Sequence, residues 1–171
     1  MNQHLLEISL ISSVFILTLF GIRALRKSPL SGTQKAEKAI TGLLGAYFAM
    51  AGSVKFFDPF TTMYTTQIAL AELPFPSLTR WSGQMVEIGA GLMLLWLMVK
   101  GKSLASGLSD RLFYLGNFLI FSAMIVALYV HWHPNVPATV LPLQSKAPIM
   151  TLIVMLVVGI NVALRRLNPQ A

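Results

Sequence analysis

The sequence predicts an all-α fold, a polytopic membrane bundle of five transmembrane helices. Three observations predict it. Of the 171 residues, 55% are hydrophobic and 11% charged, against about a quarter charged in a soluble domain. Mean hydropathy is +0.68, so the polar surface is too small to coat a water-soluble globule. Five sparsely charged windows, residues 5–22, 40–57, 81–98, 112–130 and 147–164, each approach the roughly 20 apolar residues that a helix needs to cross the hydrocarbon core. Backbone groups in lipid must be satisfied within the spanning segment, which favours helices, and the short alternating strands of a barrel are not seen.

The first window reads as a retained helix rather than a signal peptide. Its leading MNQHLLE carries no Lys or Arg while RALRK follows it, the reverse of secretory flanks. Glu7 is expected at its outer end. Residues 1–30 then form an N-terminal helix with a basic loop, and residues 31–171 a four-helix membrane domain.

Charge sets the expected orientation. Arg23, Arg26, Lys27, Lys35, Lys38, Lys100, Lys102, Arg111, Arg165 and Arg166 fall on one side of the predicted spans, ten of the thirteen basic residues. Only Lys55, Arg80 and Lys146 fall on the other. By the positive-inside rule this gives a multi-pass protein of a bacterial inner membrane, N-terminus outside and C-terminus cytoplasmic. The net charge of +7 is thus a topology signal, and no basic nucleic-acid-binding module accompanies it. Zero cysteines exclude a dithiol motif or thiolate metal site within the chain.

The outer loops have distinct patterns. After the second window, Asp58-Pro59 is a helix-start signal, the carboxylate capping free amides. Phe60, Met63, Tyr64, Gln67, Ile68 and Ala71 follow at helical spacing, predicting a short surface helix that LPFPS ends. Arg80-Trp81 then re-enters the bilayer. The second outer loop, HWHPNVPATVLPLQSKAP, is proline-dense and is expected to pack as a lid.

Two ionisable groups fall inside apolar windows. Glu87 lies six residues inside Trp81, about 9 Å down a helix, where an ionised carboxylate needs a partner. Gln84, Glu87 and Gly91 share a face, as do Gly45, Phe48, Gly52 and Lys55. Lys55 and Glu87 are therefore expected to pair in the outer half of the bilayer. The pair is either a helix-clamping salt bridge or an ion-paired ligand or proton site. His131 is a candidate pH-sensitive contact above Glu87. His131 and His133 form an HxH pair that in extended backbone would point one way, making them weak metal candidates. Two ligands fall short of the four of a closed zinc site, so no metal site is assigned. Asn117 and Asn161 read as interhelical hydrogen-bond partners.

The runs GLLGAYFAMAGSVKFF and WSGQMVEIGAGLMLLWLM resemble those of the DoxX-like integral membrane proteins. The match lies in Gly52, Lys55, Glu87, Gly89 and Gly91, and extends over about residues 37–165. The resemblance implies a four-helix core, here with an additional N-terminal helix. Some such proteins are membrane subunits linked to thiol, thiosulfate or superoxide metabolism, including a thiosulfate:quinone oxidoreductase; animal relatives assist assembly of other membrane proteins. The expected function is a small membrane subunit that binds an apolar ligand such as a quinone, or a lipid, near Lys55, Glu87, Gln84 and His131. It would serve an oxidoreductase system whose redox centre sits in a partner chain. The alternative is a non-enzymatic assembly or interaction protein that docks a partner through its outer loops. A protein partner or a homo-oligomer is expected besides the lipid bilayer. A third reading has Glu87 and the histidines catalyse proton transfer on a lipid-like substrate. Catalytic residues are not assigned, nor is a resident cofactor.

Overall fold

The computed structural model describes residues 3–168, so Met1 and Asn2 of the leading segment lie outside it. The described residues contain six α-helices and no strand: α1 (Gln3–Arg26), α2 (Gly32–Val54), α3 (Phe60–Leu70), α4 (Pro76–Lys100), α5 (Ser106–Trp132) and α6 (Ile149–Leu167). Four of them, α1, α4, α5 and α6, are long and apolar enough to cross a membrane. This is a membrane protein. α2 falls outside that group because its first turns carry Lys35, Glu37 and Lys38, yet it is 23 residues long and packs against α1, α4 and α6.

Local sequence explains most boundaries. Ser31 caps α2, accepting from the Gln34 amide while the Gln34 side chain accepts from the Ser31 amide, a reciprocal box that satisfies two free donors. α4 starts at Pro76, a residue suited to the first helical position. That start lies five residues before the window read from hydropathy. Leu78, Thr79 and Arg80 join the helix because no residue after Pro76 breaks it. Glu87 consequently lies 11 residues into α4, about 16 Å from its start. α3 begins at Phe60, and Asp58 accepts from the amide and hydroxyl of Thr62. The carboxylate thus serves the first turn as the sequence suggests, from two residues before the helix.

α2 and α4 form the tightest helix pair, and the reason is glycine. A Cβ on Gly91 would stand 2.7 Å from the Gly45 carbonyl oxygen and would collide with the Ala49 backbone. A Cβ on Gly45 would be 2.9 Å from the Gly91 carbonyl oxygen, and one on Gly52 would be 3.1 Å from that of Gln84. The two backbones therefore touch, as small residues permit in membrane helices. Around this seam Leu44, Phe48, Ala90, Leu94, Phe113, Ile120, Val154 and Val158 make one buried apolar core from α2, α4, α5 and α6. α1 exposes Phe15, Ile16, Leu17, Leu19 and Phe20, and it packs mainly on α2.

At the basic end of the bundle the chain buries a charged cluster. The Arg165 guanidinium, 7% exposed, lies 2.8 Å from Glu37 and 2.8 Å from Asp110, and also donates to Ser109 Oγ at 3.2 Å. One turn further in, Thr41 donates to Asn161 Oδ1 at 3.0 Å, Asn161 to Asn117 Oδ1 at 3.1 Å, and Asn117 to the Phe113 carbonyl at 2.8 Å. Three helices are tied at two successive levels. Asn117 and Asn161 are the interhelical partners that their position in apolar helices suggests.

Gly91→Ala should lower stability by about 1–3 kcal/mol, because the added methyl meets backbone that cannot yield. Gly89→Ala, where a Cβ meets nothing within 4 Å, should be neutral or slightly stabilising through helix propensity. Thermal unfolding of both variants in detergent checks the contrast.

Candidate functional site

The site lies at the end of the bundle opposite Arg165. Lys55 is the C-terminal cap residue of α2, and the close α2–α4 approach carries its ammonium to Glu87. Nζ donates to both carboxylate oxygens at 2.6 Å. The side chains are 19% and 12% exposed, so the pair is largely but not wholly out of solvent. Because the end of α2 pairs with a residue 11 positions into α4, the first turns of α4 project beyond α2. α3 fills the space so created.

Tyr64 of α3 forms the roof. Its ring lies 4.0 Å from Lys55 Nζ, a cation–π contact that strengthens when water is excluded. Its hydroxyl rests against Gly83, where a Cβ would displace it. Burial, reinforced by the negative charge of Glu87, pushes the Tyr64 phenol up to about 12. Thr61 adds a link by donating to the Lys55 carbonyl at 2.8 Å.

Gln84 is the least satisfied group in this region. It is fully buried, 0% exposed, on the α4 face that also carries Glu87. Neither its Oε1 nor its Nε2 has a hydrogen-bond partner, and the buried Arg80 Nε one turn earlier also lacks one. Each such group costs about 1–3 kcal/mol when left unpaired. The Arg165 cluster is different: its guanidinium is met by Glu37, Asp110 and Ser109. A cavity of about 20 Å³ beside it, lined by Glu37, Thr41, Ser109 and Arg165 among others, is the size of a single water.

The proline-dense loop closes over the same end. Glu7 accepts from the Leu143 amide at 2.8 Å, Gln67 donates to the Val140 carbonyl, and Asn135 donates to Glu72 at 3.1 Å. Lys146 holds the loop to itself, donating to the His133 and Val136 carbonyls at 2.6 and 2.5 Å. Val136 and Leu141 pack on Ala71 and Val130 beneath. Glu7 thus sits where the first helix meets the lid, buried rather than simply facing outward.

The structure brings Lys55, Glu87 and Gln84 together, with the first two paired. His131 meets the loop, its Nδ1 lying 3.4 Å from the Lys146 carbonyl. The extended HxH geometry does not form. α5 continues through Trp132, so His131 is helical while His133 is the cap and packs on the Tyr129 ring at 5.6 Å. Among the described residues no three His, Asp or Glu side chains converge as metal ligands. Tyr64 and Arg80 join the site without having been singled out for it in the sequence. Arg80 is placed by the sequence at the outer re-entry point beside Trp81, and its i, i+4 spacing from Gln84 is the signal that joins it to the site.

No known protein-family profile, curated protein or solved structure matches this chain.

Lys55→Met and Glu87→Gln should each destabilise the protein, and the double variant by less than the sum. A coupling of about 0.5–3 kcal/mol is expected for contacting, partly buried charges. A double-mutant cycle of unfolding in detergent measures it; additive losses would show that the two charges do not support one another.

Proposed function

We propose that the chain is a small, DoxX-like inner-membrane subunit that holds an amphiphile, a quinone or a lipid, beneath the α3 and loop lid. A partner of a membrane-associated oxidoreductase system would carry any redox centre. The observation that carries this reading is Gln84: a fully buried amide with both polar atoms unpaired, on the same face as a roofed ion pair. Membrane interiors seldom retain polar groups without a use for them. The Gly52, Lys55, Glu87, Gly89 and Gly91 set that carries the resemblance lies in α2, its C-terminal cap and α4, which bear this site.

Five spans and an N-out orientation belong to the same proposal. From Glu37 to Lys55 is 18 residues, about 27 Å of helix, close to the roughly 30 Å of the hydrocarbon core. Glu37 is neutralised by Arg165 and Lys55 by Glu87, which removes most of the penalty for charges at the ends of a span. Ten of the thirteen basic residues collect at the Arg165 end, supporting its cytoplasmic placement.

A second reading has one observation of its own. Lys55 already holds both oxygens of Glu87, as a closed clamp would, and Phe57, Phe75 and Trp132 are exposed at the same end. On that reading the outer loops dock a partner and the ion pair only locks the bundle.

Native-detergent purification followed by solvent extraction should recover a co-purifying amphiphile. Lys55→Met and Glu87→Gln should lower its retention severalfold while the protein remains extractable; unchanged retention in both sinks the ligand reading. If co-purification of a protein partner survives these changes but is lost when residues 58–80 are replaced, the docking reading stands instead. Because the chain has no cysteine, single substitutions report topology directly. Ser31→Cys should react with impermeant maleimide only from the cytoplasmic side, and Ser77→Cys only from outside.

A further inference from the structure

We propose that the outer part of α4 recognises the carboxyl head of a long-chain acid, with Gln84 and Arg80 as the recognising side chains. This rests on the reading that an amphiphile binds at this end of the bundle and specifies its head group. Arg80, Gln84 and Glu87 fall at i, i+4 and i+7, on one face of α4. Glu87 is satisfied by Lys55. The two residues on its N-terminal side are not: Gln84 offers an unpaired donor and an unpaired acceptor in a fully buried position, and Arg80 offers an unpaired buried Nε–H. These groups ask for a head that accepts twice and donates once.

A carboxyl group does this with two oxygens. Its carbonyl oxygen accepts from Gln84 Nε2 and Arg80 Nε, and while protonated its hydroxyl donates to Gln84 Oε1. An ester or a quinone only accepts, and an ammonium only donates, so each leaves part of the set unpaired. Ionised beside Arg80, the carboxyl head leaves Gln84 Oε1 unmet but still gives an oxygen each to Arg80 Nε and Gln84 Nε2. It then gains the attraction of the fixed charge, which an ester or a quinone does not. α4 begins three residues before Thr79 without a side-chain cap, and its N-terminal end adds partial positive charge of the same sense. Arg80 also connects the buried amide to the bilayer. Its guanidinium carbon lies 5.4 Å from the Trp81 ring, and Trp81, exposed, packs on Phe56 with centroids 5.9 Å apart. An acyl tail leaves the bundle along this aromatic pair.

The test uses the full chain in detergent, with a dibrominated stearic acid, its methyl ester and a short-chain quinone as quenchers of tryptophan fluorescence. The acid should bind at least about tenfold more tightly than the ester, the scale of one buried hydrogen-bond set. Gln84→Leu should abolish that preference without lowering thermal stability, since an apolar group replaces an unsatisfied one. Arg80→Gln should weaken acid binding by about fivefold or more. Equal binding of acid and ester by the native chain overturns the proposal, as does a preference that survives both substitutions. If the quinone binds while acid and ester are alike, the head-group assignment fails and the amphiphile reading stands. If none of the three binds, both fail.

Discussion

The contact on which the rest of the architecture depends is the touching of α2 and α4 backbones at Gly45, Gly52 and Gly91. In a bilayer, apolar side chains gain little by leaving lipid for one another, so helices associate through close packing and shared hydrogen bonds. The glycine seam supplies the packing. It also sets the register that puts Lys55 against Glu87, two residues 32 positions apart in the chain. A helix separated by one layer of side chains would leave each charge alone in an apolar setting.

α2 gains a second constraint at its other end. Glu37, Arg165, Asp110 and Ser109 come from α2, α6 and α5, and Thr41, Asn161 and Asn117 repeat the linkage one turn deeper. Breaking such a buried pair is costly because the remaining charge is stranded. Between this cluster and the Lys55–Glu87 pair lie Leu44, Phe48, Leu94 and Ile120, all buried and apolar. The two polar sites are thus separated by a layer of buried apolar side chains. That layer favours two independent sites at opposite ends over a continuous polar path through the bundle.

The end bearing Lys55 differs from the other in how completely its groups are met. The Arg165 cluster pairs its charges internally and reads as a fastening. Beside Lys55 and Glu87, the unpaired amide of Gln84 and the Arg80 Nε coexist with a roof of Tyr64 and a loop tied down by Glu7, Gln67 and Lys146. A fold that satisfies one buried set and leaves another open directs attention to the open one.

Much of the fold was legible in the sequence because membrane insertion is a local property. Apolar runs, the bias of basic residues to one side and the glycine spacings of residues 45, 52 and 91 are all short-range patterns. They mark the helices, and the shared faces even anticipate the Lys55–Glu87 pair. The start of α4 at Pro76 was obscured because hydropathy reports where a helix enters lipid, whereas hydrogen bonding continues past that boundary. The HxH pattern left two conformations open, since i, i+2 spacing has two meanings, and only the continuation of α5 through Trp132 selects one. What tertiary structure alone decided was partnership. Arg165 looks like one more basic residue at the end of a helix until α2 and α5 bring Glu37 and Asp110 to it. Gln84 is one polar residue on the Glu87 face in the sequence; only the packed bundle buries it with neither polar atom met. Spacing along a helix fixes which side chains share a face; which face meets which depends on the packing of the whole bundle.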